Sequence, residues 1–76
     1  MTLLSQCSIG QSIRVVRING ESNTKRRLVA FGVLPGTVIS ITRYAPLGDP
    51  IEVWLRHYSL SLRLSEAELI EVEEIL

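Results

Sequence analysis

Between two runs that alternate apolar and polar residues stands Ala45-Pro46-Leu47-Gly48-Asp49-Pro50, a hexapeptide that leaves the backbone few choices. Each proline fixes its own φ and biases the residue before it away from helix, so Ala45 and Asp49 are both pushed toward extended geometry. Gly48 supplies a position where positive φ costs little. On one side Ile39 and Ile41 alternate with Ser40 and Thr42; on the other Ile51, Val53 and Leu55 alternate with Glu52, Trp54 and Arg56. Period two on both sides of a turn of this length predicts an antiparallel pair with the loop exposed.

A chain of 76 residues is expected to form one domain spanning residues 1–76, too small for a large enclosed cavity. No apolar run approaches the roughly 18–20 residues of a membrane-spanning helix. Ser5, Gln6, Ser8, Gly10 and Gln11 interrupt the N-terminal region, which argues against a secretory signal. The expectation is a soluble, cytoplasmic protein without membrane insertion. Eight basic and eight acidic side chains cancel, which removes the usual electrostatic case for nucleic-acid binding. Their distribution is uneven: Lys25-Arg26-Arg27 form a basic cluster, while Glu66, Glu68, Glu71, Glu73 and Glu74 make the C-terminal region acidic. One cysteine, Cys7, excludes an intrachain disulfide and fits a reducing compartment.

Taken in order, Ser12 to Ile18 is rich in β-branched residues and reads as a strand. Its phase shifts between Val15 and Val16, which predicts a curved strand or a bulge that lets both find apolar contacts. Asn19-Gly20 resembles a hairpin turn, but Asn23 to Phe31 reads as a short helix, with Ser22 or Asn23 as N-cap and Leu28 and Phe31 facing the core. Gly32 ends it, and Pro35-Gly36 makes a second turn. Ser59 to Leu64 alternates cleanly. Ser65 and Glu68 have capping-box spacing for a single helical turn, and Ile70 to Glu73 alternates again. About five strands, with one short helix between the first two, give a mainly β fold of the small SH3-like barrel type.

No phosphate-cradling glycine loop occurs. His57 has no second histidine to complete a common metal spacing, and with Cys7 and scattered carboxylates it makes no regular ligand set. No catalytic, cofactor or metal site is therefore assigned. Three features remain as candidates for contact with another macromolecule. Trp54 falls on the polar phase of its strand, where an exposed aromatic marks a binding surface. Lys25, Arg26 and Arg27 could neutralise an acidic partner. Pro46, Leu47 and Asp49 lie on a stiff loop that loses little entropy on docking. Each has a plainer explanation: a ring folded over the barrel end, a solvated helix face, and a turn that fixes register. An exposed edge strand or Trp54 could also support self-association.

Arg27-Leu28-Val29-Ala30-Phe31-Gly32-Val33-Leu34-Pro35-Gly36, then Ala45 to Ile51, then Leu60-Ser61-Leu62-Arg63 and Glu66-Ala67, together resemble the FeoA family over nearly the whole chain. The resemblance implies an SH3-like barrel and a cytoplasmic, non-enzymatic accessory role in bacterial ferrous-iron uptake. The implied partner is FeoB, the membrane transporter with a cytosolic GTP-binding domain. The matching positions, including Leu28, Gly32, Pro35, Gly36, Gly48, Pro50 and Arg63, have sufficient explanations as turns and core. Similar domains also end metal-responsive repressors, which leaves a regulatory interaction domain acting on another polypeptide as the alternative. A generic SH3 groove lined by Tyr44, Trp54 and Tyr58 is a third possibility, and direct metal binding a fourth.

Overall fold

A computed structural model describes residues 2–75. The elements run β1 (Thr2–Leu3), a 3-10 turn (Leu4–Gln6), β2 (Ser12–Ile18), α1 (Ser22–Ala30), β3 (Val38–Tyr44), β4 (Ile51–Leu55), β5 (Tyr58–Leu62), α2 (Leu64–Ala67) and β6 (Ile70–Glu74). All neighbouring strands pair antiparallel, in the order β1-β6-β2-β3-β4-β5. The mainly β architecture matches the expectation, with six strands rather than five. The additional one, β1, is too short to show a period and exists through its pairing, Thr2 with Val72 and Leu3 with Glu71. α1 consequently joins the second and third strands. The outer strands β1 and β5 are not paired to each other among the described residues. The sheet instead wraps a single apolar cluster that runs from Leu4 to Val72 and includes Ile13, Val15, Leu28, Ile39, Ile41, Ile51, Val53, Leu62 and Ile70.

Two bulges give the sheet its curvature. Val15 pairs with Val72 and Arg17 with Glu71, so Val16 has no opposite residue on β6. The bulge stands where the phase shift placed it, but its effect differs from the expectation. Val15 is buried and Val16 is turned outward, 44% exposed, because the extra residue is the one expelled from the ladder. A second shift lies between Ile41 and Arg43. Within β4 the alternation holds fully: Ile51, Val53 and Leu55 face the core, and Trp54 faces out.

Three local expectations are corrected. The N-cap of α1 is Glu21, in extended geometry and without a side-chain cap bond. Lys25 N–H already donates to Glu21 O at 3.0 Å, so Ser22 is the first helical residue rather than the cap. Phe31 does not enter the core and remains 43% exposed. Gly32, at φ +91°, reverses the chain so that Val33 takes the core position beside Leu28. The amides of Gly32 and Val33 donate to Val29 O and Leu28 O at 2.9 and 3.0 Å, the paired bonds of a Schellman terminator, with its usual apolar contact made by two wholly buried side chains. The cap of α2 lies two residues earlier than Ser65 and Glu68 suggested: Arg63 is the N-cap, and Glu66 Oε1 accepts from its amide at 2.9 Å. β5 accordingly stops at Leu62, and Leu64 opens the helix.

Candidate docking surface

The loop between β3 and β4 is closed by Ala45 N–H to Pro50 O at 3.0 Å and Gly48 N–H to Ala45 O at 2.7 Å. Gly48 adopts φ +85°, and Leu47 at the tip is 96% exposed. An apolar side chain so fully in water contributes nothing to the core and is available to a partner. Pro46 is exposed as well. Asp49 is employed by the fold: its Oδ1 accepts from Leu64 N–H at 3.0 Å, satisfying one of the unpaired donors that open α2. Asp49, Pro50 and Arg63 line a shallow open pocket of about 340 Å³.

The basic cluster divides in two. Arg27 pairs with Glu66 Oε2, and its guanidinium lies 5.9 Å from the centre of the Phe31 ring. Glu66 is buried, so both of its oxygens are committed, one to the α2 cap and one to α1. Lys25 and Arg26 are exposed and have no carboxylate at ion-pair distance among the described residues. Asp49, α2, Glu66 and Arg27 thus link the loop to the helix. Trp54 stands apart from this chain of contacts, on the outer face of the sheet.

Trp54 pairs across to Ser40 on β3 and Ser59 on β5. Ser12 lies opposite Ser40, so the row across four strands is Ser12, Ser40, Trp54, Ser59. Small hydroxyl side chains on both sides leave the indole 45% exposed. Of the two explanations offered by the sequence, the exposed one applies. The three aromatics considered for an SH3-type groove do not converge. Tyr44 pairs with the buried Ile51, and Tyr58 with the buried Leu55, which puts both on the face opposite Trp54. Tyr44 donates its hydroxyl to Cys7 O, and the Tyr58 hydroxyl sits over Gly32.

His57 and Arg56 form a feature that the sequence did not announce. They are the two residues joining β4 to β5, and both have positive φ, 74° and 48°. A two-residue hairpin of this hand usually carries Asn-Gly, so the turn signal was missing although the strands around it were legible. Cys7 is buried, with its thiol 3.6 Å from Leu3 O. Burial, and secondarily the charge of Glu74, pushes that thiol above its ordinary value. Burial and the neighbouring Cys7 do the same to the Tyr44 phenol. Among the described residues no three His, Cys, Asp or Glu side chains converge as metal ligands, and no helix is long and apolar enough to cross a membrane.

Comparison with known proteins places this geometry. The family model described as the FeoA domain matches residues 2–74. A fusion of Fe(2+) transport protein A with the Fe(2+) transporter FeoB, from Porphyromonas gingivalis, is 35% identical over 72 residues, which is 95% of this chain and 8% of the fusion. The solution structure of a FeoA-like protein from Clostridium acetobutylicum superposes with a TM-score of 0.89 at 44% identity, covering 100% of this chain and 92% of that one. FeoA from Stenotrophomonas maltophilia, an SH3 domain protein complexed with zinc, superposes with a TM-score of 0.83 at 25% identity, covering 96% and 91% of the two chains. The six-stranded antiparallel sheet is therefore the SH3-like fold expected from the strand pattern.

Proposed function

This chain belongs to the FeoA family, and on that premise we propose that it is a cytoplasmic, non-enzymatic accessory protein of bacterial ferrous-iron uptake. It docks on the cytosolic part of a FeoB-type transporter and modulates its transport or assembly. The observation that carries this reading is the Porphyromonas gingivalis fusion, in which a domain 35% identical to this chain shares a polypeptide with FeoB. Covalent linkage raises the effective concentration of one module near the other to the millimolar range with short flexible linkers. Such a linkage is useful to two modules that touch. The Stenotrophomonas protein has likewise been put forward as an activating factor of ferrous iron transport.

The surface supports a docking role through features that the fold leaves unused. Leu47, Pro46, Trp54, Lys25 and Arg26 are exposed and offer two apolar anchors and a positive patch. Arg27 and Asp49 act in this reading through the fold, since one anchors α1 to α2 and the other caps α2. The displaced titrating groups, Cys7 and Tyr44, serve internal contacts rather than an exposed reactive centre.

The test is an NMR titration of labelled protein with the soluble GTP-binding domain of the cognate FeoB, loaded with GDP and with a GTP analogue. Localised shifts at Trp54, the Lys25–Arg26 face or the Pro46–Pro50 loop are expected, and a preference for one nucleotide state would mark nucleotide-coupled regulation. No shifts in either state at high concentration would overturn docking on that domain.

A further inference from the structure

β5 is an outer strand, and among the described residues its main chain is hydrogen-bonded to β4 alone. The other outer strand, β1, has two residues, and shortness is one of the standard ways to blunt an edge. β5 has no such protection. Tyr58-Ser59-Leu60-Ser61-Leu62 contains no charge and no proline, and its pairing with β4 is free of bulges.

Three surroundings define what this edge accepts. The first is Trp54, opposite Ser59. A residue on an added strand opposite Ser59 would stand about 9–10 Å from Trp54, two strand spacings away. Over a serine, that gap admits an indole and a second large apolar side chain. The second is Leu60, half-buried against the core cluster, which offers an apolar flank on the inner side. The third is charge. Arg14, Arg17, Arg27 and Arg43 are in ion pairs. Among the described residues, the cations outside ion pairs include Arg56 and Arg63, which bracket β5 in sequence. Arg63 shares its pocket with Asp49, so that end carries both signs. Arg56 belongs to the β4–β5 turn, held beside Gly32, whose added Cβ would meet Arg56 Cδ at 3.1 Å; among the described residues no carboxylate lies within ion-pair distance of it.

The geometry points to β5 as a strand-addition site for an extended segment of a partner protein. The segment runs antiparallel to β5, as every other pair in the sheet does. It places a large apolar side chain over Ser59 against Trp54 and acidic residues at its C-terminal end against Arg56. This rests on the reading of the chain as a docking protein. Main-chain pairing supplies the affinity of such a mode, and alternate side chains supply its selectivity.

The probe is the blocked peptide Ac-Thr-Val-Thr-Trp-Thr-Glu-Glu-NH2, titrated into labelled full-length protein alongside two controls. One control has the amides that face β5 N-methylated, and the other has both glutamates replaced by lysine. Expected are shifts confined to β5, Arg56 and the Trp54 indole, a loss of at least about tenfold in affinity on N-methylation, and a loss of about fivefold or more on charge reversal at low salt. Arg56→Glu should reverse the order of the acidic and basic peptides. Equal binding of the N-methylated peptide, or shifts elsewhere, overturns the proposal. Concentration-dependent shifts of β5 without peptide, with no further change on adding it, assign the edge to a second copy and overturn it too. The FeoB domain, titrated in parallel, separates the two readings. Binding of that domain away from β5 overturns strand addition and leaves docking intact, whereas peptide pairing without binding of that domain supports strand addition and overturns docking on the GTP-binding domain.

Discussion

Glu66 reaches in two directions from a buried position, to the Arg63 amide that opens α2 and to the Arg27 guanidinium on α1. Truncating it removes a cap and leaves the Arg27 charge without its partner, so Glu66→Ala should cost about 2 kcal/mol in urea unfolding. Arg27→Ala should cost less than Glu66→Ala, because the arginine side chain is 52% exposed and water takes over part of the interaction. Neither role was legible in the sequence: Glu66 sat among acidic neighbours, and the capping spacing of Ser65 and Glu68 pointed to a different register. Cys7 gives a second residue-scale expectation. Its folded-state value lies above the ordinary 9.0, so the folded chain keeps its thiol proton after the unfolded chain has lost it. Stability is then fully present below about pH 9 and falls as pH rises toward the folded-state value, since the unfolded state binds fewer protons there. Urea midpoints measured across that range should fall less steeply in Cys7→Ala than in the parent.

At the scale of elements, the turn of Arg56 and His57 holds two L-residues with side chains in the left-handed region, a conformation that costs roughly 1–2 kcal/mol per residue outside glycine, asparagine and aspartate. Arg56→Asn combined with His57→Gly should therefore stabilise the hairpin by about 1 kcal/mol; a lower urea midpoint would contradict the strain. Gly32 shows the opposite case. An alanine there would meet the Tyr58 hydroxyl at 3.0 Å and Arg56 Cδ at 3.1 Å while holding φ +91°, so Gly32→Ala should destabilise by about 1–2 kcal/mol. Gly32 was readable as a helix terminator because its function is local. The exclusion of Phe31 in favour of Val33 was not, since it depends on how far the Schellman turn rotates the chain before the next side chain meets the core. The alternating strands β4 and β5 were legible for the complementary reason: period two survives any tertiary context that buries one face. β1 was not, because two residues carry no period.

For the whole molecule, zero formal net charge conceals a division between cations already paired on β2, β3 and α1 and those left outside ion pairs, Lys25 and Arg26 among them. Docking through the latter should weaken several-fold between about 50 and 300 mM salt, while thermal stability changes little, because exposed pairs contribute about 0–1 kcal/mol each. Trp54 is the lone tryptophan and is partly exposed, so iodide should quench its emission in the free protein and quench it less in a complex that covers the outer face. Of the docking residues inferred from sequence, Trp54 and Leu47 are the ones whose exposure followed from pattern, one from its phase in a strand and the other from its place in a turn. The division of labour within Lys25-Arg26-Arg27 required knowing where Glu66 lies. Finally, Thr2 and Val72 sit side by side on antiparallel neighbours, so the backbone enters and leaves the domain at one corner, on strands at the far end of the order from β5. A tether attached in either direction starts from that same corner. A linker joined at that corner continues from strands that are not hydrogen-bonded to β5 among the described residues, so a fused partner is tethered without occupying the outer main chain of that strand.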